Sequence, residues 1–181
     1  MVATTYFLAK KIGQDRPQLI VQAGIAGSFA EQILSSTVII KEDSFADLGV
    51  MEENQFKSIF NLGLSNPDHF PFTQGLLKNP HTHLMDLTNL EPVKGVTINE
   101  ISTDKKRIDW LQHTGAIVES MEGAALHYVC LQEKIPFLQI RSISNRVGER
   151  DKKKWEIKKS IECLNEQLIL LLEKIDAQDE T

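Results

Sequence analysis

A chain of 181 residues, 41% of them hydrophobic, is long enough to bury a sizeable core and predicts one domain spanning 1–181. Its net charge of -5 and its scattered lysines offer no basic stripe to track a phosphate backbone, which argues against nucleic acid as a partner. Cys130 and Cys163 are too far apart to suggest a disulfide framework or a zinc site, no export signal is evident, and the longest apolar run is only Leu168 to Leu172; the expected setting is a reducing cytoplasm, away from the membrane.

Helical apolar spacing through Val2, Ala3, Tyr6, Phe7 and Ala9 predicts a helix from Val2 to Ile12, stopped by Gly13. Leu19-Ile20-Val21 reads as a buried strand leading into a glycine-rich turn from Ala23 to Ser28, and Thr37 to Ile40 reads as a core strand. Asn61 to Pro92 holds four of the six prolines without a clear period, which predicts long loops and one short helix. Alternation then returns: a strand from Val93 to Thr97, a helix from Asp104 to His113 behind Ser102 or Thr103 as N-cap, a short strand at Ala116 to Val118, and a helix from Met121 to Glu133. A strand from Phe137 to Ile140 and a long helix from Trp155 to Lys174 close the chain. Strands alternating with helices predict an α/β, three-layer αβα sandwich, although the chain opens in a helix where such domains usually open in a strand.

Three local patterns carry chemistry. Glu122 falls at the start of a helix whose apolar stripe is Met121, Ala125, Tyr128 and Val129, so a carboxylate lies beside apolar surface at a positive dipole end. Dipole stabilisation alone, worth roughly 0.3–1 kcal/mol, explains an acid there. An ionised carboxylate also accepts two hydrogen bonds from a diol such as a ribose. Ser144-Asn145 follows a core strand, where ligands of open α/β sheets collect, and an asparagine amide suits a heterocycle edge; a simple turn role is the other reading. The turn Ala23-Gly24-Ile25-Ala26-Gly27-Ser28 lets backbone approach a ligand, but it is neither a dinucleotide fingerprint nor a P-loop.

Taken in order, these elements resemble the nucleoside phosphorylase and nucleosidase superfamily, and the stretches Val118–Ala125 and Ile140–Trp155 are most similar to futalosine hydrolases. The resemblance implies a mixed central sheet flanked by helices and cleavage of an N-ribosidic bond between a purine and a modified ribose, without cofactor or metal. It implies that Met121 packs on the ribose, that Glu122 holds its 2′- and 3′-hydroxyls, and that Asn145 activates N7 of the base. Asn145 stands where adenine nucleosidases carry an Asp; its NH2 satisfies the N7 and O6 acceptors of a 6-oxopurine without donating a proton, which favours hypoxanthine as leaving base. Ile25, Ala26, Asn99, Arg141, Ser144 and Trp155 complete the implied substrate site, with residues 146–155 as a flap and Phe45 to Leu48 near the substrate tail, within one subunit or across a subunit interface.

The family's water-activating Glu follows its first strand, and Met1 to Thr5 resembles the start of the first family helix; the expectation is that this strand and this Glu are missing here. Phosphorylases of the same fold often carry a hydroxyl where this sequence has Ile25, which favours hydrolysis. Methylthioadenosine/S-adenosylhomocysteine nucleosidase, purine nucleoside phosphorylase and a catalytically impaired nucleoside binder remain the alternatives. The resemblance also implies a homo-oligomer, a dimer or higher.

Overall fold

The computed structural model describes residues 1–30, 33–53 and 55–179. Helix α1, Val2–Gln14, leads into strand β1, Ile20–Ser28, and then β2, Thr37–Asp43. A hairpin of β3, Gly49–Glu52, and β4, Gln55–Ser58, stands apart from the main sheet. There follow β5, Leu77–Lys78; α2, Thr82–Asp86; β6, Glu91–Thr97; α3, Lys105–His113; β7, Val118–Ser120; α4, Gly123–Glu133; β8, Phe137–Arg146; and α5, Ile157–Asp179.

The central sheet is mixed and strongly curled. β1 runs parallel to β8 from Ile20 opposite Phe137 to Ser28 opposite Arg146, with an irregularity between Ala26 and Gly27, and its other edge takes β7 antiparallel. β8 also pairs antiparallel with β2, β2 pairs parallel with β6, and β6 pairs parallel with β7. These ladders close a circuit, β1-β8-β2-β6-β7, while β5 adds beside Asp43 at the end of β2.

Alternation of side chains sorts the two faces. Ile20 and Phe137 point to one side, against Ile12 and Leu8 of α1 and Leu126, Val129 and Cys130 of α4. Val21, Leu138 and Ile140 point to the other, against Leu164, Leu168 and Leu171 of α5. Helices on both faces of β1 and β8 give the layered α/β arrangement expected from sequence, each fully buried Leu, Ile or Phe contributing about 1.5–3 kcal/mol. Apart from Tyr128, α4 is buried from Gly123 through Cys130. A helix apolar on every side belongs in the middle of a fold.

Several expectations change. The glycine-rich turn is strand: Ala23 to Ser28 lies within β1, and a Cβ at Gly24 would collide with the Arg141 guanidinium. Glycine there admits a neighbouring side chain to the sheet surface. The strand expected to end at Ile140 continues to Arg146, because Arg141, Ser142 and Ser144 are buried although polar. Asp104, not Ser102 or Thr103, caps α3, its side chain accepting from Arg107 N at 3.0 Å. The β3–β4 hairpin was not foreseen, since its short strands are largely exposed and lack a buried period. Among the described residues no helix is long and apolar enough to cross a membrane.

Candidate active site

One cavity of about 470 Å³ opens where β1, β7, the start of α4 and the end of β8 converge. Its wall includes Ile25, Ala26, Met121, Glu122, Arg141, Ser144, Asn145 and Trp155. Eight side chains singled out in the sequence therefore meet around one space, within the range usual for small-molecule sites.

Glu122 is the N-cap position of α4, yet its side chain bonds no amide of that helix. The capping is done by others: Thr97 Oγ1 accepts from Ala124 N at 2.7 Å, and Ser120 Oγ accepts from Gly123 N at 3.4 Å. Thr97 in turn donates to Asp43 Oδ1 at 3.0 Å, so a buried carboxylate fixes the hydroxyl that caps the helix. The Glu122 carboxylate is thereby left for the cavity.

Beneath it lies a buried polar group. Asp43, His127, Gln139 and Arg141 are all nearly or wholly inaccessible, and Gly123 packs so tightly against Gln139 and Asp43 that a Cβ would collide with both. Burial pushes the Asp43 carboxyl up to about 6, against the pull of hydrogen bonds from Thr97 and Ser44, of the neighbouring Gln139 amide and of the Arg141 charge. Burial likewise lowers His127 to about 4; its Nδ1–H donates to Leu77 O at 2.9 Å. Burial pulls the Arg141 guanidinium down, and the carboxylates of Glu122 and Asp43 oppose this. Arg141 also donates from Nη2 to Gln22 Oε1 at 2.5 Å. Arg141 thus carries positive charge to the Glu122 end of the cavity, between two acids.

At the other end, the Asn145 amide is oriented by its neighbours. Its Oδ1 accepts from Ser144 Oγ at 2.8 Å and its Nδ2 donates to Arg146 O at 3.0 Å. Exchanging oxygen and nitrogen would set two carbonyl oxygens against each other, so the NH2 group retains one hydrogen for a ligand acceptor. The following loop is pinned rather than free: Trp155 Nε1 donates to Glu149 O at 3.1 Å, Glu149 Oε1 accepts from Asp151 N at 2.8 Å, and Glu156 N donates to Ser144 O at 2.8 Å. Trp155 precedes α5 and faces the cavity, with its indole N–H already engaged.

The domain model described as "Phosphorylase superfamily" matches residues 1–175. The chain belongs to the phosphorylase superfamily. Within that superfamily it is similar to a futalosine hydrolase of Streptomyces coelicolor, 30% identical over 151 residues that cover 82% of this chain and 62% of the relative. It is similar also to a 5′-methylthioadenosine/S-adenosylhomocysteine nucleosidase of Anoxybacillus flavithermus, 25% identical over 145 residues, or 77% and 61% of the two chains. The chain therefore spans about three fifths of the length of the curated relatives it matches. A solved structure of Helicobacter pylori futalosine hydrolase shares the fold with a TM-score of 0.78 at 18% identity, covering 96% of this chain and 75% of that one.

Two of the expected site segments lie outside the wall of this cavity. Asn99 is not part of the cavity wall: its backbone N–H and its Nδ2 both bond the Asp47 carboxylate, so its side chain closes a surface loop, and Ile98 and Ile101 form the wall in that segment. Phe45 packs against Phe72 and Tyr128, and Leu48 is exposed; neither lines the cavity. Sequence reasoning missed Gln22 and Glu119, which do. A readable signal existed for Glu119, an acid inside a strand otherwise made of Val118 and Ser120.

Proposed function

We propose that this chain hydrolyses the N-ribosidic bond of a purine nucleoside of the futalosine type, releasing hypoxanthine, or adenine from the amino analogue. The observation that carries the reading is the pairing, in one cavity, of an acceptor-only carboxylate relieved of helix capping with an asparagine amide oriented to donate. Glu122 accepts from the ribose 2′- and 3′-hydroxyls and Met121 packs on the sugar. Asn145 donates to N7 or O6, stabilising the charge that develops on the base as the ribosyl group becomes oxocarbenium-like. The names of the similar relatives support the same reading.

Water is the favoured acceptor because Ile25, in the cavity wall, has no hydroxyl to donate to phosphate. The expected homo-oligomer finds support in α1, which turns Val2, Tyr6 and Phe7 to solvent. Incubation with futalosine, aminodeoxyfutalosine, inosine and methylthioadenosine, with and without phosphate, followed by chromatography of the released base, tests the proposal. Hypoxanthine is expected from futalosine without phosphate. Cleavage only with phosphate, or a preference for methylthioadenosine, overturns it.

A further inference from the structure

Gly27 is the one position of β1 flanked at the same level by two cavity residues, Glu119 on β7 and Asn145 on β8. It has no side chain, and a Cβ there would press on Val147 Cγ2 at 3.1 Å and meet Asn145 Nδ2 at 3.5 Å. Bare backbone therefore forms the floor between an acid and an amide. Two strand spacings separate their Cα atoms by about 9–10 Å. That is room for a flat bicyclic base with a hydrogen bond of about 2.9 Å at each edge.

Glu119 is only 7% exposed. Its Oε1 accepts from Ser102 N at 3.2 Å, while its Oε2 is buried without a hydrogen-bond partner among the described residues. Leaving such an atom unpaired costs about 1–3 kcal/mol, more when it is charged, so it calls for a donor. The Ser102 hydroxyl and the Arg107 charge are near enough to favour the ionised form; Arg107 Nη1 has its ion contact with Glu100 at 4.0 Å, while Arg107 Nη2 and Ser102 Oγ, like Glu119 Oε2, are buried without a hydrogen-bond partner among the described residues. Burial raises the Glu119 carboxyl above the usual range, as expected of a group awaiting a partner.

We propose that Glu119 is a specificity-determining residue that reads the six-membered ring of the base, its carboxylate accepting N1–H of a 6-oxopurine while Asn145 donates to the opposite edge. This rests on the assignment of Asn145 to the base made above. The chemistry discriminates because N1 of a 6-oxopurine bears a hydrogen, whereas N1 of adenine is an acceptor that an ionised carboxylate repels. A site built to pair a polar group rejects the analogue that cannot pair it.

Equilibrium binding of free hypoxanthine and free adenine to the chain, to Glu119→Gln and to Glu119→Asp, measured by titration calorimetry, tests this independently of turnover. The parent chain should bind hypoxanthine at least tenfold more tightly than adenine. In Glu119→Gln, whose amide can also donate to adenine N1, that ratio should shrink about tenfold. Glu119→Asp should weaken hypoxanthine binding yet keep the preference, and it carries the test if the Gln variant fails to fold. An unchanged ratio in the variants, an adenine preference in the parent, or no binding of either base overturns the proposal. Release of base from futalosine is measured separately: failure there with an intact hypoxanthine preference removes the hydrolase reading alone, and the converse removes only the role of Glu119.

Discussion

Two buried ionisable groups beside α4 pull stability in opposite directions as pH changes, and substituting either should expose the other. Asp43, raised from 3.8 to about 6, keeps its proton in the folded chain after the unfolded chain has released it. Its contribution to stability therefore falls as pH rises between those values. His127, lowered from 6.5 to about 4, stays neutral in the fold where the unfolded chain takes up a proton. Its contribution therefore rises with pH across nearly the same window. At 1.36 kcal/mol per tenfold change in proton affinity, each amounts to about 3 kcal/mol, so in the parent chain the two nearly cancel. Asp43→Asn should leave the His127 slope uncovered, and stability relative to the parent should gain about 2 kcal/mol between pH 4 and pH 6, the part of the full effect that falls in that range. His127→Gln should do the reverse, losing about 2 kcal/mol over that range. Urea unfolding of the three proteins at closely spaced pH values measures both differences, and surface carboxylates common to all three drop out of the comparison. If both variants track the parent at constant offset, neither group titrates as a buried one and the reasoning fails.

Two further outcomes are expected. Glu122→Gln should lower turnover of the cleaved nucleoside by roughly a thousandfold, the scale of losing a charged transition-state contact, while the urea midpoint stays within error; a near-normal rate would remove Glu122 from the ribose. Thr97→Val should cost about 2–3 kcal/mol in urea unfolding, since it strips one bond from Ala124 N and another from the Asp43 carboxylate, and Thr97→Ser should restore most of it; equal stability of the Val and parent proteins would refute the capping role.

The legible parts of this chain were those in which one residue type has one physical use. Apolar runs at Ile20-Val21, Thr37 to Ile40 and Val93 to Thr97 marked core strands, and the acid before an apolar helix together with Ser144-Asn145 marked the two ends of the site. What stayed hidden depends on partners remote in sequence. Gly24 and Gly27 look like turn residues until Arg141, Val147 and Asn145 are seen to need their space. Asp43 and Thr97 are unremarkable polar residues at the ends of strands and Gln139 a polar residue inside one, and only the fold joins them under Gly123. Asn99 lies outside the cavity wall for the converse reason, because a polar residue beside a strand end is as useful for tying a loop to Asp47 as for holding a ligand.

The closed ring of ladders has a bearing on how copies of this chain meet. β1, β8, β2, β6 and β7 each have a neighbour on both sides, but β7 reaches only Gly27 and Ser28 of β1, so Ile20 to Ala26 have a ladder partner on one side only among the described residues. Amyloid-like stacking and strand exchange both begin by adding a strand to an open flank, and here the described open flanks include one side of β1 from Ile20 to Ala26 as well as the two-residue β5 and the small, exposed β3–β4 hairpin, so the longest seat for a strand from another chain lies in the central sheet itself.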